Sequence, residues 1–400
     1  LDDQRPEGSR LIVTGCMAER YGSELAEALP EVDLVAGFGV DFAVPPRPAA
    51  PRVPVALRPT RAEPVAEEIP TLSGFDLLEL PRPASSVPWA YVKVAEGCDR
   101  ICGFCAIPSF RGPQRSRRAP EVLAEVDALV TADSPVREIV LVAQDLASYG
   151  RDRGRPRPGR HGSEGPGYAS PIAELTRAVS ARVERTRLLY LYPSGLTDDL
   201  IDAVLATGVP YFDLSLQHVS RPLLRRMRRW GDGEKFSDRI AAIRALEPRA
   251  TFRSSFILGY PGETERDHDL LLQFLESAQL DWAGFFPFSS EEGTHAAGLT
   301  DQVPAELALE RLRECAELQD SITAARRDEL VGQTRRVLVD APGRGRTVHE
   351  APEIDGIVHL PPHTRAGDLV SVLITAAQGP DLHATPVGDT VAVQAAGRAQ

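Results

Sequence analysis

The chain has 400 residues, 42% hydrophobic and 26% charged, with a formal net charge of −12. That is enough apolar material for more than one buried core, and no run approaches the roughly 18 apolar residues of a membrane-spanning helix. An acidic balance argues against a protein that works mainly by coating nucleic-acid phosphate, and it fits a soluble enzyme, or one whose macromolecular partner is itself basic.

Residues 1–40 read as a strand from Leu11 to Thr14, a turn at Gly15-Cys16, and a helix from Arg20 to Leu29 closed by Pro30. A second strand follows from Val32 to Ala36, so the segment looks like the tail of a parallel α/β unit. The chain opens on Leu1 and reaches an apolar strand almost at once, which predicts a true beginning further upstream. Its first residues hold no apolar signal core, and a cytoplasmic location is expected. From 41 to 86 recurrent prolines (Pro45, Pro46, Pro48, Pro51, Pro54 and on to Pro70) predict a semi-extended linker, because proline fixes φ.

Between 87 and 330 six strand-like runs appear: Val92–Glu96, Glu138–Gln144, Arg187–Tyr192, Tyr211–Gln217, Thr251–Gly259 and Trp282–Ser289. Amphipathic helical patterns separate them, at Ala119–Ala132, Pro171–Val183, Thr197–Ala206, Lys235–Leu246 and Glu265–Leu280, with Thr264 as an N-cap. This alternation predicts an α/β fold of parallel strands with right-handed crossovers, either an open sheet or a full or partial barrel. Its site would lie at the carboxyl ends of the strands. A long helix from Pro304 to Leu330 carries Cys315, and short β-rich runs in 331–400 predict a small β-barrel.

Five cysteines are too few for a disulfide scaffold. Three of them, Cys98, Cys102 and Cys105, follow the first strand with C-x3-C-x2-C spacing. Three thiolates on one loop suit an iron–sulfur cluster, and no fourth cysteine or histidine lies within ten residues. One metal position would then stay open to a substrate or cofactor. The competing readings are a zinc site completed by Cys16, or three buried thiols without a metal.

The spacing, with Phe104 before the third cysteine, resembles the radical S-adenosylmethionine enzymes. Ala106-Ile107-Pro108-Ser109-Phe110-Arg111-Gly112, Val142-Ala143-Gln144-Asp145, Tyr192-Pro193-Ser194-Gly195, Ser215-Leu216-Gln217-His218, Gly259-Tyr260-Pro261-Gly262-Glu263-Thr264 and Ser289-Ser290-Glu291-Glu292-Gly293-Thr294 narrow the likeness to the methylthiotransferases. The branch most similar modifies a ribosomal protein, and the resemblance extends from Val13-Thr14-Gly15-Cys16 to a TRAM-like β-barrel at the end. It implies a six-stranded partial (β/α) barrel holding a 4Fe-4S cluster on Cys98, Cys102 and Cys105. The open iron would bind S-adenosylmethionine, and one electron from a donor such as flavodoxin or ferredoxin would generate a deoxyadenosyl radical. Gln144, Asp145, Arg253 and Gly259 are the expected cofactor contacts beside Phe104.

Members of this family carry three N-terminal cysteines for a second 4Fe-4S cluster, and only Cys16 matches one of them here. The form with this sequence is therefore expected to lack a complete auxiliary cluster. The expected substrate is an aspartate of the decoding-centre small-subunit ribosomal protein, number twelve in that series, a basic partner. Residues 331–400 hold six arginines against seven carboxylates, whereas a barrel that grips tRNA should be positive. Modification of a tRNA adenosine is the alternative within the enzyme class. A ribosome- or RNA-binding protein with structural zinc is the alternative outside it. Two basic islands, Arg151–Arg160 and Arg221–Arg229, are read as a surface insertion and a solvated helix face, and no role is assigned to His218.

Overall fold

The computed structural model describes residues 9, 11–37, 85–132, 135–153 and 170–387. Nearly all of the expected linker, most of the Arg151–Arg160 island and the end of the β-rich region 331–400 lie outside them. The chain divides into two units, Leu1–Arg82 and Pro83–Gln400. In the first, strand β1 (Ile12–Thr14) pairs in parallel with β2 (Leu34–Ala36), joined by helix α1 (Cys16–Ala28). Gly15 turns the chain with φ 109°, and Cys16 is the exposed first residue of α1, earlier than the sequence pattern suggests.

The second unit begins with β3 (Trp89–Lys93), β4 (Ala95–Glu96), α2 (Ile107–Arg111), β5 (Arg115–Ser116), α3 (Ala119–Thr131) and β6 (Glu138–Val142). Then come α4 (Pro171–Ser180), β7 (Arg185–Leu188), α5 (Asp198–Ala206), β8 (Tyr211–Gln217), α6 (Arg221–Arg226), α7 (Gly233–Leu246), β9 (Thr251–Leu258), α8 (Glu265–Ala278), β10 (Trp282–Pro287) and α9 (Ala305–Asp328). Strands β3, β6 and β7 pair in parallel in that order, as do β8, β9 and β10. A single bridge, Leu191 to Leu214, joins the two halves into a six-stranded parallel array. One face of the strands (Val92, Ile139, Leu141, Leu188, Phe212, Phe252 and Phe256) packs on the helices in the main core. Alternate residues turn to the concave side, as the two-residue period of a strand requires.

The third strand departs from expectation. It ends at Leu188 rather than Tyr192, because Tyr190 takes a left-handed φ of 64°. Asp213 holds that turn by accepting a hydrogen bond from the Tyr190 amide at 2.9 Å.

A closed five-stranded barrel follows, formed by β11 (Thr334–Ala341), β12 (Arg344–Arg346), β13 (Val358–His359), β14 (Leu369–Gln378) and β15 (Asp381–Pro386). Its segment 346–356 closes the amino end of the parallel array, where the strands begin. Glu138 receives Arg187 at 2.8 Å and Arg346 at 2.9 Å, all with side chains at most 2% exposed. The Trp282 indole donates to the His349 carbonyl at 2.8 Å, and Tyr211 donates to Asp355 at 2.5 Å. The segment Ala351–Gly356 is thus a seam within this chain rather than part of the cysteine pocket.

Candidate active site

The carboxyl ends of the strands surround the cysteine loop. Cys98 begins it, with its amide bonded to the Gly112 carbonyl at 3.1 Å, and the Asp99 carboxylate receives the Gln114 amide at 3.0 Å. Gly103 sits where a side chain has no room, since an added Cβ would lie 2.8 Å from the Tyr260 hydroxyl. Its amide donates to the Met227 carbonyl at 2.8 Å, and its carbonyl receives the Ala296 amide at 2.8 Å. The loop is therefore clamped from both sides before any ligand enters.

Cys98, Cys102, Phe104, Cys105, Gln144 and Asp145 line one cavity of about 130 Å³, together with Arg100, Ile107, Tyr190, Tyr192, Ser215, Gln217 and Arg229. Burial pushes the Cys98 thiol up to about 11 and also raises that of Cys105. Buried thiols of this kind lose their protons when a cation binds, as metal ligands must.

Two arginines supply positive charge beside the thiols. Arg229 donates to Cys102 Sγ at 3.2 Å and also to the Ser215 carbonyl. Arg100 pairs with Asp145 at 2.7 Å. Their guanidinium carbons lie 4.4 and 3.9 Å from the centroid of the Tyr192 ring. Gln144 donates to buried Glu96 at 3.3 Å, and Glu96 also receives Lys93 at 2.7 Å and Arg111 at 2.8 Å. This leaves Gln144 Oε1 and Asp145 Oδ1 buried with no hydrogen-bond partner among the described residues. Unpartnered acceptors are rare in a folded interior, so these two mark where a ligand's donors belong. Three soft thiols and two waiting acceptors fit an iron–sulfur cluster carrying an amino-acid-like cofactor.

Two expected contacts are not brought to this cavity. Arg253 lies near the amino end of β9, paired with Asp213 at 3.3 Å and Asp355 at 3.4 Å, one layer below Ser215 and Gln217. Burial alone would lower its pKa, but these carboxylates outweigh it and raise it. Gly259 follows β9 with φ 76°, packs 2.5 Å (measured from an added Cβ) from Ala308 of α9, and donates to Glu263 at 2.5 Å. Its role is a turn and a close helix approach.

Conversely, sequence reasoning missed Arg229, Tyr190, Ser215 and Gln217 as cavity residues. Ser215 and Gln217 were detectable, since they alternate with buried Leu214 and Leu216 along β8. Arg229 was hidden in the basic island read as solvated. The chain leaves α6 at Arg226, and left-handed Arg228 (φ 55°) turns Arg229 inward. His218 is buried, accepts the Ser220 amide at 3.0 Å, and has its pKa lowered by burial to about 4, a structural role.

Residues 92–275 match the Radical SAM superfamily, and residues 331–387 match the TRAM domain. The chain is 39% identical to the ribosomal protein uS12 methylthiotransferase RimO of Frankia casuarinae, across 95% of this chain and 77% of that one. The protein of the same name from Cutibacterium acnes is 40% identical over 94% and 82% of the two chains. That of Moorella thermoacetica is 42% identical over 92% and 80%.

Proposed function

We propose that this chain, which belongs to the family of ribosomal protein uS12 methylthiotransferases, adds a methylthio group to an aspartate side-chain carbon of that small-subunit ribosomal protein. The observation that carries the site assignment is one cavity lined by Cys98, Cys102 and Cys105 beside the unpartnered acceptors of Gln144 and Asp145. When bound there, an iron–sulfur cluster with S-adenosylmethionine supplies a carbon radical able to take hydrogen from an unactivated C–H bond.

The protein's own part is to bind, orient and exclude water. The three cysteines provide the thiolates, and Arg229 places a fixed positive charge against Cys102. The two acceptors would receive the ammonium group of S-adenosylmethionine, with Asp145 held by Arg100 and Ser148. Phe104 walls the cavity, while Tyr190, 49% exposed, stands on its open side where a protein loop would enter. Cys16, the one cysteine here that precedes Cys98, is the proposed ligand for a second cluster, the sulfur source, which would need two further thiols to be complete. A flavodoxin or ferredoxin would be the electron donor. The −1 charge of 331–400 favours a basic protein over tRNA.

Mass spectrometry of uS12 and of tRNA from a strain lacking this gene tests the proposal. Loss of the methylthio group from uS12, restored by the gene but not by a Cys102→Ala copy, is expected. Loss confined to tRNA refutes it.

A further inference from the structure

The island Arg221–Arg229 is the densest positive charge on an acidic chain, with five arginines in nine residues, and it borders the cysteine loop. Its carbonyl at Met227 receives the Gly103 amide at 2.8 Å, and its last member, Arg229, reaches Cys102 Sγ at 3.2 Å. The other four face outward to differing degrees. Arg221, Arg225 and Arg228 are exposed, and Arg226 is partly so, pairing with Asp301 at 3.0 Å. Arg228 approaches His295 Nδ1 at 3.1 Å, which brings the His295 loop to the same surface. Among the described residues no carboxylate lies within 4.0 Å of the guanidiniums of Arg221, Arg225 or Arg228. Trp230, next in the chain and 46% exposed, adds a flat aromatic face with the Lys235 ammonium 5.5 Å from its ring centroid.

We propose that Arg221, Arg225, Arg228 and Trp230 form the docking surface for an acidic, flavin-bearing one-electron carrier protein. The proposal rests on the function inferred above, which requires an electron from outside. Like charges packed this closely repel one another, so the island has a cost unless a negative partner uses it. Complementary charge mainly raises the rate of productive encounter, the property a transient electron carrier needs. The basic ribosomal substrate would be repelled here. RNA would be attracted by charge alone, but RNA binding gains nothing from contact with the cysteine loop. Trp230 suits the exposed edge of a planar flavin. In the step itself one electron leaves the reduced flavin, which is oxidised by one equivalent, and enters the cluster site; no covalent bond is made or broken.

The test uses iron-reconstituted chain, an acidic bacterial flavodoxin in its reduced form, and stopped-flow absorbance at increasing ionic strength. The Arg225→Glu/Arg228→Glu variant should lower the second-order reduction rate by about tenfold or more at low salt, with a weakened salt dependence. Lysine at both positions should retain most of the rate. Arg344→Glu, an exposed change on the terminal barrel, should behave as wild type. Reduction by methyl viologen radical should proceed in every variant, showing that each is folded and loaded. Equal rates in wild type and double variant overturn the proposal, as does an equal loss in Arg344→Glu. So does loss of ribosomal RNA binding with reduction by flavodoxin unchanged, which would make the patch an RNA surface. If reduced wild type fails to cleave S-adenosylmethionine, the underlying function is wrong instead.

Discussion

Replacing Glu138 with glutamine removes the carboxylate that Arg187 and Arg346 share at the seam between the parallel array and the terminal barrel. Glu138 is fully buried, and burial alone would raise its pKa. The guanidiniums of Arg346, Arg187 and Arg185 outweigh that effect and hold it near about 2. A shift from 4.5 to about 2 corresponds to about 3 kcal/mol at roughly 1.4 kcal/mol per unit. Breaking a buried pair by removing one partner typically costs about 3–5 kcal/mol, which agrees. The sign follows from linkage: a carboxyl depressed in the folded state stabilises fully above its unfolded pKa and loses that contribution as pH falls toward the folded value. Glu138→Gln should therefore lower stability by about 3 kcal/mol at pH 7, and the gap to wild type should narrow between pH 4.5 and about 2. Urea unfolding monitored by Trp282 fluorescence measures both, since the Trp282 indole bonds across the seam to His349. A loss below about 1 kcal/mol, or a gap that does not change with pH, would refute the reasoning.

Three further outcomes are expected. Asp145→Asn removes the charge that waits beside the thiols, and equilibrium dialysis should show S-adenosylmethionine binding weakened about tenfold or more, about 1.4 kcal/mol. Tyr190→Gly relieves a left-handed backbone worth about 1 kcal/mol but loosens the unfolded chain by a similar amount, so stability should barely move. Methylthio transfer to uS12 should nonetheless fall, with Tyr190→Phe restoring most of it. Burial lowers the His349 pKa to about 4, so the unfolded chain gains a proton below 6.5 while the folded chain does not. Wild-type stability should decline from pH 6.5 toward 4, and His349→Gln should flatten that decline in denaturant midpoints.

Much of the catalytic architecture was legible in the amino-acid order. Strand and helix periodicities are local, and parallel strands joined by helices admit few arrangements, so six strands around a carboxyl-end site followed from pattern alone. The cysteine spacing likewise pointed to one candidate site, because the three thiols sit on one short loop. Gln144 and Asp145 line the same cavity as that loop because strand ends converge there in such folds.

What the order of residues left open were questions of depth and direction. Arg253 lies on β9 and Gly259 just after it, but a strand passes from the barrel seam to the cavity in a few residues, and only tertiary packing says which layer a side chain reaches. Arg229 looked like one more solvated arginine until the left-handed turn at Arg228 carried it to Cys102. Tyr190 looked like strand until a carboxylate 23 residues away, Asp213, held its amide out of register. The seam of Glu138 with Arg346 joins residues 208 apart. Local periodicity carries no information across such a distance; burial of charge with its partner decided it.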